Sequence, residues 1–136
     1  MMDQLIYRSR AAQDLSPAET FRIIETSARN NPARDITGFL IFGRGEFLQL
    51  IEGPGAELDR LLHDLGGDPR HRGITVLARR PILARSFPDW RMQRLSTREA
   101  GTATMQARFA GKGLPHEMLD AVTAFVVAQT ASAIPA

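Results

Sequence analysis

Apolar residues in the first 95 positions fall in short runs broken by polar turns, with two stretches at helical spacing between them. Leu5-Ile6-Tyr7 reads as a first strand with Leu5 and Tyr7 on one face. Ser16-Pro17-Ala18-Glu19 then offers an N-cap serine, a proline at the first helical position and a glutamate placed for a capping box. The helix expected there runs to about Asn31, where Pro32 stops it, with Phe21, Ile24, Ala28 and Asn31 on one face and Ser27 beside them. Ile36 to Phe42 and Glu46 to Ile51 predict an antiparallel pair of strands joined by Gly43-Arg44-Gly45. The stripe Leu58, Leu61, Leu62, Leu65 predicts a second helix, ended by Gly66-Gly67. Ile74 to Ala78 and Asp89 to Leu95 complete the pattern as a fourth and a fifth strand, separated by a loop with Pro81 and Pro88.

The order βαββαββ predicts an α+β, ferredoxin-like fold, an antiparallel sheet with both helices on one face. The strand Glu46 to Ile51 is apolar on both sides, with Phe47 and Ile51 facing one way and Leu48 and Leu50 the other, so the second face also needs a cover. Leu119, Val122, Phe125 and Val126, on a helix expected to begin near Pro115, are one candidate cover, and a partner subunit is the other. The chain therefore divides into a domain over 1–95 and a C-terminal helical extension over 96–136, packed on the sheet and a candidate output element. The tail Thr130 to Ala136 is expected to fray.

With 136 residues, 43% apolar and 24% charged, the chain suits one globular domain. No run approaches the roughly 20 apolar residues of a membrane span, and the start lacks a signal peptide, so a cytoplasmic protein without a membrane partner is expected. The absence of cysteine excludes disulfides, thiolate nucleophiles and cysteine-type zinc sites. His63, His71 and His116 lack ligand-like spacing, so no metal is expected. The net charge is only +2, and its basic residues, all arginine except Lys112, are scattered. Arg8 and Arg10, Arg70 and Arg72, and Arg79 and Arg80 are better read as solvated strand ends and anion contacts than as a nucleic-acid patch.

Three polar side chains converge on the face that meets the helices. Gln49 lies mid-strand on the side of Phe47 and Ile51, where unpaired amide groups would cost about 1–3 kcal/mol, so protein or ligand must satisfy it. Tyr7, the only tyrosine, shares that face if its strand lies beside the hairpin, and its hydroxyl then reaches Gln49. Asn31 projects from the end of the first helix. Alone, each has an ordinary explanation: a glutamine bonded to backbone, a satisfied core tyrosine, a helix C-cap before Pro32. Their convergence favours a site.

These residues also sit in runs that resemble one family. Leu5-Ile6-Tyr7-Arg8-Ser9, Asn31 followed by Ile36-Thr37-Gly38, Phe47-Leu48-Gln49-Leu50-Ile51-Glu52-Gly53, Asp68-Pro69-Arg70-His71 and Phe87-Pro88-Asp89-Trp90-Arg91-Met92 resemble, in order and spacing, the motifs of BLUF domains, sensors of blue light using FAD. The resemblance covers the first two-thirds of the chain. It implies a noncovalent flavin between the two helices, with Asn31 and Gln49 on its polar edge, Tyr7 bonded to Gln49, and Ile24, Ser27 and Leu65 in the cofactor site. Asp68, Arg70 and His71 would lie near the ribityl and phosphate portion. It further implies that Tyr7 gives an electron and then a proton to the excited flavin, that Gln49 reorganises by rotation or tautomerisation, and that a slightly red-shifted state persists. Ser9, Trp90 and Met92 would carry the signal. Trp90 and Met92 are two apart, so in a regular strand they share a face and only one touches Gln49.

With no glycine-rich phosphate cradle in the chain, FAD rests on the resemblance, and FMN or riboflavin could substitute. The expected partners are a second copy of the chain and a separate downstream protein, since no output domain follows. Two rival functions share the fold: an acylphosphatase-like enzyme and a nucleic-acid-binding sheet. A yellow protein with a flavin spectrum separates the sensor from both.

Overall fold

A computed structural model describes residues 1–11, 19, 22, 35–67 and 71–131. Five strands, β1 (Met2–Ala11), β2 (Thr37–Gly43), β3 (Glu46–Pro54), β4 (His71–Ile82) and β5 (Arg91–Ser96), form one sheet in the order β4-β1-β3-β2-β5. Four helices are described with it: α1 (Gly55–Gly66), α2 (Thr97–Ala100), α3 (Ala103–Ala110) and α4 (His116–Ala131). Of the helix expected from Ser16 to Asn31, Glu19 and Arg22 are described and both are helical. The rest of that expectation lies outside the described residues, as do 68–70 and the tail 132–136.

The β2–β3 hairpin closes through Arg44-Gly45, both at positive φ (51° and 77°), the backbone that a tight two-residue turn requires. The first four strands keep the ferredoxin-like antiparallel order. The expectation of a wholly antiparallel sheet is corrected at β5, which pairs with β2 in parallel. The cause is the short loop 83–90. β4 ends beside the start of β1, at the end of the sheet where β2 also begins. The loop crosses that end and hands the chain to β5 at the start of β2, where Gly38 N–H donates to Trp90 O at 2.8 Å. From there β5 runs the same way as β2.

Alternation along β3 divides the interior in two. On one face Leu5, Tyr7, Leu40, Phe47, Ile51 and Met92 pack with Leu58, Leu61 and Leu65 of α1. On the other, Ile6, Phe39, Ile41, Leu48, Leu50, Phe87, Trp90 and Leu95 pack with Phe109 of α3 and Met118, Val122, Phe125 and Val126 of α4. The C-terminal segment therefore covers the second face within this one chain. Two short helices, α2 and α3, precede the one anticipated near Pro115. Ser96 and Glu99 close a capping box on the first, and the Thr102 side chain caps the second.

Among the described glycines, Gly38 has the least room for a side chain. Its φ is +141°, and a Cβ there would lie 1.9 Å from the carbonyl oxygen of Leu50.

Candidate functional site

Tyr7 and Gln49 are direct cross-strand partners on β1 and β3, on the face covered by α1, and both are buried. The Tyr7 hydroxyl donates to Gln49 Oε1. The amide nitrogen of Gln49 donates to Met92 Sδ at 2.9 Å. Burial pushes the Tyr7 phenol well above its ordinary pKa, because phenolate would lose its hydration. Tyr7 is thus a neutral donor with its proton aimed at an amide oxygen.

Met92 reaches Gln49 through a break in the strand. Its φ is +65°, and the pairing with β2 slips there: Gly38 lies opposite Arg91 and Phe39 opposite Gln93, so Met92 is the extra residue of a bulge. The bulge reverses the alternation. Met92 lies with Tyr7, and Trp90 lies in the other core, with Phe87 at 4.8 Å, Phe39 at 6.1 Å and Phe109 at 6.3 Å between ring centroids. Arg108 and Lys112 stand 4.9 and 5.6 Å from its ring, at cation–π distance. The expectation that Trp90 and Met92 share a face and compete for Gln49 is corrected: it assumed a regular strand.

Among the other predicted site residues, Ser9 is buried one pleat beyond Tyr7, opposite Phe47, and Leu65 is buried on α1 in the same cluster as Tyr7. His71 begins β4 opposite Ala11. Ile24, Ser27, Asn31, Asp68 and Arg70 lie outside the described residues. Four of the paired arginines find partners: Arg8 and Arg10 on Glu46, Arg79 on Asp3 and Asp59, and Arg80 on Gln4. No group of three or more metal-ligating side chains occurs among the described residues.

Sequence reasoning missed a second buried polar cluster, on the far face. Glu52 is fully buried, and its carboxylate accepts from Gln4 Nε2, the Thr37 hydroxyl and the backbone N–H groups of Ser86 and Phe87. The signal was available in the strand register, since Glu52 follows Leu48 and Leu50 on a face read as apolar.

The residues present suit the polar edge of a flavin. An amide carries two N–H donors, and a thioether is a weak acceptor, so a ligand oxygen or ring nitrogen can compete for Gln49. Leu65 and the apolar side chains around Tyr7 form a buried apolar cluster, the kind of lining a flat aromatic ring requires.

Comparison with known proteins points the same way. The family described as BLUF, "Sensors of blue-light using FAD", matches residues 2–93. The chain is 33% identical over 87 residues to the photoactivated adenylate cyclase subunit beta of Euglena longa, covering 63% of this chain and 10% of that protein. It is 34% identical over 77 residues to the blue light- and temperature-regulated antirepressor BluF of Escherichia coli (strain K12), covering 57% and 19%. The dark-state structure of BlrB, a BLUF protein, superposes with a TM-score of 0.71 at 30% identity, covering 93% of this chain and 96% of that one. The chain thus spans a tenth to a fifth of the length of these two curated relatives. It belongs to the BLUF family. Residues 2–93 are thus a blue-light sensor domain of the kind that uses a flavin.

Proposed function

We propose that Tyr7 and Gln49 are the photochemical pair of this receptor, with FAD as the native flavin. The observation that carries the reading is the buried Tyr7 hydroxyl donating to Gln49 Oε1, with Met92 on the amide's other end. A bound flavin supplies the blue absorption and, once excited, the electron acceptor. Tyr7 is the oxidisable donor, and burial keeps its proton in place until the electron leaves. Gln49 passes the change on, because an amide presents a donor at one end and an acceptor at the other and can exchange them by rotation or tautomerisation. When the electron and proton return to Tyr7, the exchanged amide leaves a different hydrogen-bond set and a red-shifted spectrum. Asn31 would share the flavin edge with Gln49, flanked by Ile24, Ser27 and Leu65. Asp68, Arg70 and His71 would meet the phosphate end, where arginine's planar fork matches a phosphate.

Met92, bonded to Gln49, starts the route outward along β5, and Trp90 and Ser9 belong to it. The segment 96–136 is then the output element, and its effector is a homodimer mate or a separate protein bound in trans. The partly exposed Val76, Leu77 and Val127 offer apolar contacts for such a partner.

The test is a light-minus-dark absorption spectrum of the flavin-loaded protein beside Tyr7→Phe. The wild type should shift to the red and recover in darkness, and Tyr7→Phe should bind flavin and show no shift. A normal red-shifted state in Tyr7→Phe would remove Tyr7 from the mechanism.

A further inference from the structure

We infer that Glu52 is a positioning residue for the light-sensing site: it clamps the loop 83–90 across the end of the sheet and so holds the bulge that puts Met92 on Gln49. The inference rests on the reading of Tyr7, Gln49 and Met92 as the photochemical site.

The geometry begins in the register. Glu52 lies directly opposite Gln4 on β1 and Thr37 on β2. The loop from β4 to β5 passes over all three strands at this point, and the carboxylate takes two of its backbone N–H groups, Ser86 at 3.0 Å and Phe87 at 2.5 Å. The neighbours complete the grip. Gln4 Nε2 donates to Glu52 at 3.1 Å and to the Ser86 hydroxyl at 3.3 Å, and Arg80 Nε donates to Gln4 Oε1 at 2.9 Å. Arg85, within the loop, donates to the Thr37 hydroxyl, to Glu52 O and to Asp35 O at 2.8–2.9 Å.

A buried carboxylate is costly unless each lone pair is used, and consecutive backbone N–H groups are strong partners for it. Here those N–H groups belong to the one segment that sets where β5 starts. Phe87 O accepts from Trp90 N–H, Trp90 O accepts from Gly38 N–H, and the bulge at Met92 follows two residues later. Fixing Ser86 and Phe87 therefore fixes Trp90 in the aromatic core and Met92 against Gln49. Glu52 lies on the opposite face of β3 from Gln49 and acts through the backbone, without touching it.

Glu52→Gln tests the clamp. The amide keeps one acceptor but turns an NH2 toward N–H donors, so at least one loop bond is lost. Trp90 is the only tryptophan, and acrylamide quenching of its fluorescence reports the loop in the dark, independently of photochemistry. Both the quenching constant and the rate of dark recovery should change on the order of fivefold, the size one buried hydrogen bond carries, with flavin content unchanged. Val122→Ala, which removes buried volume from the core that holds Trp90 without touching any hydrogen bond of the clamp, controls for general destabilisation and should leave both within about twofold. Arg85→Gln loosens the loop while sparing the carboxylate; it should move both readouts in the same direction by less, and it serves if Glu52→Gln does not fold. Quenching and recovery like wild type in the folded variants, or equal changes in Val122→Ala, would overturn the role of Glu52. A wild type without a light-induced red shift would instead sink the photochemical reading, and the dark quenching result would still decide the clamp.

Discussion

Each face of β3 buries one polar side chain, and the two are held in opposite ways. Glu52, on the face covered by α3 and α4, has both carboxylate oxygens engaged by four donors from three segments. Gln49, three residues earlier and on the face covered by α1, has one bond from a phenol and gives one to a sulfur. Many strong bonds leave Glu52 a single arrangement. Among the described residues Gln49 makes two side-chain contacts, one of them to a weak acceptor, and one strand thus carries a densely bonded carboxylate and a sparsely bonded amide back to back.

The largest effect should come from a change that harms both faces at once. Gly38→Ala would drive a Cβ into the Leu50 carbonyl at a φ of +141°, next to the bulge that separates Met92 from Trp90. A loss of more than about 4 kcal/mol is expected, enough to abolish the fold. Urea denaturation and the yield of soluble, flavin-binding protein measure it, and a folded Gly38→Ala variant would contradict the tight crossing.

Changes confined to one face should separate stability from light response. Phe109 is buried against Phe39 at 4.9 Å between ring centroids and belongs to the far core. Phe109→Ala should cost about 3–5 kcal/mol while the folded fraction keeps its light-induced shift. Gln49→Leu should do the reverse. It leaves the Tyr7 hydroxyl buried without its partner, for about 1–3 kcal/mol, and abolishes the shift. The midpoints of urea unfolding and the difference spectra of the two variants, set side by side, test whether the faces divide the work.

Much of this division was legible in the chain. The alternation Phe47, Gln49, Ile51 against Leu48, Leu50 assigned each side chain of β3 to its face, because a strand's period of two is insensitive to the exact ends of the element. Tyr7 met Gln49 for the same reason, once the strand order placed β1 beside β3. The bulge at Met92 was not legible: it depends on where the loop 83–90 lands, which Glu52 and Gly38 settle through contacts 34 to 52 residues away in sequence. The parallel pairing of β5 follows from that same loop and was missed with it. The short helices α2 and α3 carry cap signals at Ser96, Glu99 and Thr102, but their apolar stripes are too brief to stand out.

The smallest predicted effect sharpens the contrast at the other end of β3, where the strand's third polar side chain, on the far face, meets solvent. Glu46 accepts from Arg8 at 2.6 Å and from Gln129 of α4, with Arg10 at 3.4 Å. Partial burial works to raise its pKa, but the hydrogen bonds from Arg8 and Gln129 and the charges of Arg8 and Arg10 outweigh it and hold the carboxyl below the usual range. A carboxyl whose folded pKa is depressed binds protons more weakly folded than unfolded. Its contribution is therefore complete above the ordinary glutamate value of about 4.3 and is lost as pH falls through the folded value. Glu46→Gln should accordingly be slightly less stable than wild type at neutral pH, with the gap closing as the pH drops below about 4. Urea midpoints of the two proteins across that range decide it. A gap that stays constant with pH would mean that the charge of Glu46 contributes nothing to fastening α4 at this end of β3.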